Sequence, residues 1–207
     1  MTHFLMRLIM SGQLKLDEGK LSIMEEPVSI ITTNFLIEIT RMALKKGIKE
    51  FDDLYFETWM AGYKITKRMA EGFKLKTFED RYKLSMDFIS MGGFGVYKSL
   101  DFKGGYYAHF RNEKNPLALG FYPSKQKVDY FLMGANAGGG TIVHERLINC
   151  IEIECAAMNG EYCEFLNARN DILMKNYPKL VKKQLDLKYL TKKQLKFIKE
   201  QGDDFKE

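Results

Sequence analysis

Apolar residues recur at helical spacing from Thr33 to Gly47, where Phe35, Leu36, Ile39, Met42 and Ala43 make one stripe and Gly47 ends it. The same spacing predicts a second helix from about Asp52 to Met69, with Leu54, Tyr55, Thr58, Trp59, Gly62, Ile65 and Met69 on one side. Glycine costs about 1 kcal/mol in a helix interior, so Gly62 predicts a close approach to a neighbouring helix. A third helix spans Phe78 to Met91, with Tyr82, Met86 and Ile89 inward and Gly92-Gly93 as its stop. Elsewhere alternation replaces helical spacing. Leu14 to Ile23 reads as a hairpin around Asp17-Glu18-Gly19. Phe94–Phe102 and Tyr106–Arg111 flank the turn composition Lys103-Gly104-Gly105, and Asn149–Cys155 and Tyr162–Arg169 flank Asn159-Gly160. Between these hairpins Val128 to about Leu147 reads as a helix carrying Gly134, Ala135, Ala137, Gly138, Gly139 and Gly140. Three consecutive glycines require that this helix be pinned by tight packing or be interrupted. The pattern predicts an α+β fold: an antiparallel sheet with helices packed on one side.

The length of 207 residues favours one domain, residues 1–170, followed by a basic C-terminal helical tail, 171–207. Thr191-Lys-Lys-Gln194 has the form of a capping box, opening a short helix with Leu195 and Ile198 on one face and Gly202 as its stop. The tail reads as a solvated, weakly docked helix; docking of a protein partner is the alternative. A net charge of +5 argues little for nucleic acid. Apolar residues at 45% and charged residues at 29% suit a globular chain that can fill its core without staples. The apolar N-terminus is broken by Arg7 and lacks the features of a signal peptide, and no apolar run reaches the roughly 20 residues of a membrane span. Three cysteines, odd in number and clustered between Cys150 and Cys163, point to a reducing cytoplasm.

Chemistry concentrates in the last hairpin. A two-residue Asn159-Gly160 loop puts Cys155 and Cys163 on opposite faces. A three-residue loop, Met158-Asn159-Gly160, pairs Ala157 with Glu161 and sets the cysteines directly across from each other. So placed, they can form a disulfide, remain inert buried thiols, or bind a soft ion as thiolates. Glu152 and Glu154 lie just upstream. A period of two leaves Glu152 on the face opposite Cys155, so its use as a ligand requires a bulge between them.

Glu152-Ile-Glu-Cys155-Ala-Ala-Met-Asn-Gly160-Glu-Tyr-Cys163-Glu-Phe165 resembles the signature of the 4-vinyl reductase (hydrocarbon-binding) domain family. Val128-Asp129-Tyr-Phe-Leu-Met-Gly134-Ala-Asn-Ala-Gly138 resembles that family's small-residue helix, which usually opens with a cysteine. Trp59-Met-Ala-Gly62-Tyr63 and Gly93-Phe-Gly95-Val96 resemble its earlier helix and strand. The resemblance covers roughly Leu14 to Arg169. It implies the α+β plait shared with vesicle-tethering TRAPP subunits, a tendency to form homodimers, and a structural zinc ion held by Glu152, Cys155, Cys163 and, where the family has a cysteine, Asp129. His144 is the alternative fourth ligand, and Cys150 is not called on. The resemblance further implies a cavity for a small hydrophobic or aromatic ligand, with Trp59, Tyr63, Tyr82, Phe94, Tyr106, Tyr107, Phe110 and Tyr130 as candidates to line it. Each of these suits a core equally well. The leading expectation is a non-catalytic sensory or regulatory module. A reductase or accessory in tetrapyrrole vinyl reduction is the alternative, for which no nicotinamide or flavin fingerprint is found. A dimeric scaffold or adaptor is the third.

Overall fold

The computed structural model describes residues 2–206. The chain runs α1 (Thr2–Met10), β1 (Leu14–Asp17), β2 (Lys20–Ile23), β3 (Glu26–Val28), α2 (Thr33–Lys46), α3 (Ile48–Gly72), α4 (Phe78–Met91), β4 (Val96–Lys103), β5 (Tyr107–Glu113), α5 (Pro116–Leu119), α6 (Tyr130–His144), β6 (Asn149–Glu154), α7 (Ala156–Asn159), β7 (Tyr162–Ala168), α8 (Asn170–Asn176), α9 (Pro178–Gln184) and α10 (Leu187–Glu200). It is an α+β fold with two antiparallel sheets: β1-β2-β3, and the larger β4-β5-β7-β6. Among the described residues, no helix is long and apolar enough to cross a membrane.

The organising element is α6, buried along nearly all of its length. A helix that is apolar all round belongs in the interior. Its small residues let α3 approach backbone to backbone. A Cβ on Gly138 would lie 1.9 Å from the Trp59 carbonyl oxygen, and one on Gly62 would lie 2.2 Å from that of Ala135. The glycine run is therefore pinned by packing, and α6 is continuous through it.

Three segments differ from the sequence expectation. Thr2–Met10 forms α1, whose Phe4 and Leu8 pack with Met24, Met69 and Leu84 into a second, smaller core. The first hairpin gains a third strand, β3, despite Pro27. The C-terminal segment is packed, not weakly docked: Leu173, Val181, Leu185, Leu190, Phe197 and Ile198 all join the main core. Its last helix begins after Asp186, whose side chain accepts from the Tyr189 N–H, so Thr191 lies inside the helix and makes no capping box. Gln194 is instead buried, donating to Asn149 Oδ1 at 2.9 Å. On α10 the buried face carries Leu190, Phe197 and Ile198, while Lys188, Lys192, Lys196 and Lys199 stay exposed.

Asp52 on α3 ties this segment down, its Oδ1 accepting from the Asp186 N–H at 3.2 Å. Burial pushes its carboxyl up to about 6. A carboxyl raised in the folded state costs stability above that pH, and the cost fades as pH falls through 6 towards the unfolded value. Asp52→Asn keeps the acceptor and removes the charge. The variant is expected to be about 1–2 kcal/mol more stable at pH 7.5, with the difference gone by pH 4. Urea midpoints at the two pH values measure this, and a variant weaker at both contradicts it.

Candidate metal centre

β6 is an edge strand, and its connection to β7 is not the expected three-residue turn. Ala156-Ala-Met-Asn159 instead winds one helical turn, closed by Gly160 at φ +78°. Alanine and methionine are good helix formers and glycine suits the left-handed closing position, so local propensity favours this over a tight hairpin. The Asn159 side chain reinforces it, Oδ1 accepting from the Glu161 and Tyr162 N–H groups at 2.8 and 3.2 Å. Ala157 therefore does not pair with Glu161, and Cys155 does not sit across the ladder from Cys163, which faces Asn112 of β5. The bulge is present: the β6–β7 register shifts between Glu152 and Glu154. Glu152 thereby comes to the side of the two cysteines.

The result is a buried cluster. One ligand atom from each of Glu152, Cys155 and Cys163 lies within 4.8 Å of the others. Asp129, immediately before α6, joins them, its Oδ2 accepting from the Cys163 thiol at 3.2 Å. Asn115 Nδ2 also donates to Asp129 Oδ2 and lies 3.4 Å from Cys163 Sγ. The Ala156 N–H points at the same sulfur at 3.3 Å. Yet Asp129 Oδ1 and both Glu152 carboxylate oxygens are buried without a hydrogen-bond partner. Burial, with the neighbouring acids, pushes Asp129 up to about 7 and Glu152 well above the carboxylate range. The hydrogen bond from Cys163 holds the Cys155 thiol down at about 6 and correspondingly raises Cys163. Uncompensated acids packed so closely are costly unless a cation neutralises them. Two sulfurs and two carboxylates fit zinc.

His144 does not belong to this site. It lies fifteen residues beyond Asp129, at the far end of α6 and roughly 22 Å along the axis. Its Nδ1 accepts from the Gly105 N–H at 3.1 Å and its ring stacks on Phe102. Cys150 also stands apart, its N–H donating to Tyr55 Oη at 2.8 Å. Two supporting residues escaped the sequence reading. Asn115 caps α5 through Oδ1 while its amide serves the cluster; Asn-Pro at a helix start was the available signal. Gln184 of α9 clamps the Glu152 backbone, accepting from its N–H at 3.0 Å and donating to its carbonyl at 2.8 Å. No local pattern marks that role.

The aromatic candidates do not converge on one space. Trp59 and Tyr63 pack against Phe197 of α10. Tyr130 stacks on Phe51, Tyr82 on Phe102, and Phe94 lies beside Phe131. Phe110 sits between Tyr97 and Phe165 in the core. Tyr107 donates to Asp101, and Tyr106 packs under Arg169. Tyr106 alone of the eight lines either of two open clefts, of about 430 and 470 Å3, at the C-terminal end of α6.

No family model matches the chain, and no curated protein matches it significantly. The fold is similar to the phenol-responsive sensory domain of the transcription activator PoxR, solved with phenol: TM-score 0.67, 15% identity, covering 81% of this chain and 89% of that one. A trafficking protein particle complex subunit 3 from Naegleria fowleri, covalently bound to palmitic acid, matches at TM-score 0.41 and 13% identity over 66% of this chain and 93% of that one, a likeness too low to carry an argument. The architecture is thus that of a known sensory-domain fold.

Proposed function

We propose that this chain is a non-catalytic small-molecule binding module of the 4-vinyl reductase type. Zinc held by Asp129, Glu152, Cys155 and Cys163 fastens the start of α6 to the β6–β7 connection, and a small hydrophobic or aromatic molecule occupies space between helices and sheet. The carrying observation is the buried convergence of Glu152, Cys155 and Cys163, with Asp129 hydrogen-bonded to Cys163 and three carboxylate oxygens of Asp129 and Glu152 left unpartnered. The fold shared with a phenol-responsive sensory domain supports the ligand class. Zinc would supply charge neutralisation and a cross-link; with four protein ligands no position is left to activate water. The protein's part is to hold the donors, with Asn115 and Gln184 orienting them. Thiolate ligands call for a reducing compartment such as the cytoplasm. Leu5, Met6, Ile9 and Met10 on α1, with Ile30 and Ile31, expose apolar surface that a second copy would cover in a homodimer. A regulatory output would pass to a protein partner, for which the exposed lysines of α10 are the candidate surface. Native mass spectrometry of gently purified protein tests the reading. A dimer carrying one zinc per chain and a bound apolar molecule is expected; chains holding neither zinc nor ligand would sink it.

A further inference from the structure

The cleft of about 430 Å3 lies at the C-terminal end of α6, the end remote from Asp129, and its volume falls in the range of about 300–1,000 Å3 common to small-molecule sites. Part of its lining is apolar: Ala70 of α3, Leu75 of the α3–α4 loop, Ile142 of α6 and Phe205 of the C-terminal segment. The rest is charged, four cations against three acids. Two of those acids are already engaged. Asp203 accepts from Lys67 at 2.5 Å and from Tyr63 Oη, and Glu145 accepts from Arg81 Nη1 at 2.6 Å. That leaves Lys74 and Lys76 against Glu71 alone. Arg81 is held from a second side, its Nε donating to the Leu75 carbonyl at 3.4 Å. With its side chain only 13% exposed, the guanidinium is fixed in place, and Nη2 makes no hydrogen bond among the described residues. Lys74 and Glu145 both hold left-handed backbone, φ +53° and +52°, just past the ends of α3 and α6, where glycine is the least costly residue. A long charged side chain at both positions serves the cleft and not the helix ends.

We propose that this cleft is a separate ligand site for a small organic acid, one carboxylate on a compact apolar body. The carboxylate accepts from Arg81 Nη2 and pairs with Lys74 and Lys76, while the body covers Leu75, Ile142 and Phe205. Charge-assisted bonds from a pre-set guanidinium are the stronger kind, and the planar fork suits a carboxylate. A hydrocarbon would leave the spare cations idle, and a bare inorganic anion would leave the apolar lining wet. The site lies at the opposite end of α6 from the proposed zinc, so it stands or falls independently of the module above.

Calorimetric titration of the full chain with cyclohexanecarboxylate, cyclohexanecarboxamide and acetate tests the assignment. The acid is expected to bind about tenfold more tightly than its neutral amide, the worth of exchanging a neutral hydrogen bond for a charge-assisted one. Acetate lacks the apolar body and should bind at least about tenfold more weakly than cyclohexanecarboxylate. Added salt should narrow the gap between acid and amide by weakening the acid. The double variant Lys74→Gln/Lys76→Gln alters two exposed side chains and should bring the acid towards the amide, with the thermal midpoint reporting that the fold is kept. Arg81→Lys keeps a cation beside Glu145 but loses the fork, and should weaken the acid several-fold. Lys188→Gln on α10 removes a charge outside the cleft and should leave binding unchanged. Equal affinity for acid and amide, acetate binding as tightly as cyclohexanecarboxylate, or an acid preference that survives the cleft substitutions overturns the site. So does the absence of saturable binding of the acid.

Discussion

Chelation of the purified chain is expected to lower its thermal midpoint by roughly 6–20 °C, and Cys163→Ser to do the same without chelator. Removing one side of a buried charge pairing costs about 3–5 kcal/mol, and each kcal/mol moves the midpoint of a chain this size by about 2–4 °C. Cys163 is the sensitive position because its sulfur meets Asp129, Asn115 and the Ala156 N–H together. Cys150→Ala, outside the cluster, should keep the zinc. The pH dependence separates the two states by sign. In the chelated chain Asp129 is raised to about 7. Its ionised form therefore costs stability above pH 7, and that cost fades as pH falls towards the unfolded carboxyl value. The chelated chain gains stability from this group over that window. The loaded chain loses stability over the same window, because protons compete with the metal for its ligands. Elemental analysis and scanning calorimetry at pH 8 and 5.5 measure both. Zinc well below one per chain and unaffected by Cys163→Ser, with parallel pH slopes, would eliminate the site.

The elements legible in the sequence were those whose periodicity is local. Phe78–Met91 coincides with α4, and Thr33 opens α2, because apolar stripes and glycine stops need no distant partner to be read. The sheet strands lay within a few residues of their turn signals for the same reason. The bulge before Cys155 followed only from taking Glu152 as a ligand, which the family resemblance implies, since a period of two leaves it on the face opposite the sulfurs. The turn after it could not be read from hairpin rules, because Ala156-Ala-Met gains more from a helical turn than from extending a ladder. Asn149, Gln184 and Gln194 look like ordinary polar residues in the sequence. Their burial is decided by which backbone and side-chain groups the C-terminal helices reach, and that is set by tertiary contact. The scattering of the aromatic candidates has the same origin: a ring's identity does not fix which of several packed interfaces it fills.

Gly138→Ala is expected to destabilise the fold by about 3 kcal/mol or more, while Gly139→Ala, one position along, stays within about 1 kcal/mol of the parent. Both replace glycine in the same helix, so propensity favours alanine by about 1 kcal/mol at each. Only the surroundings differ. The new Cβ at Gly138 would lie 1.9 Å from the Trp59 carbonyl oxygen and 2.8 Å from the Tyr63 nitrogen, both backbone atoms of α3. They cannot rotate away, so α3 and α6 must separate. At Gly139 the nearest atom is Thr66 Oγ1 at 3.0 Å, the end of a side chain. At Gly140 the obstacles are Asn167 Nδ2 at 2.8 Å and Ile148 Cγ2 at 3.1 Å. An intermediate loss of about 1–3 kcal/mol is expected there. Urea unfolding of the three variants gives the order directly, and equal stability of Gly138→Ala and Gly139→Ala would refute the backbone contact. The same displacement bears on the proposed zinc site, since Asp129 stands at the start of α6 and the other three proposed ligands belong to β6, β7 and their connection. A helix pushed off α3 moves Asp129 relative to Cys163, so Gly138→Ala should also retain less zinc than Gly139→Ala under the same mild chelation.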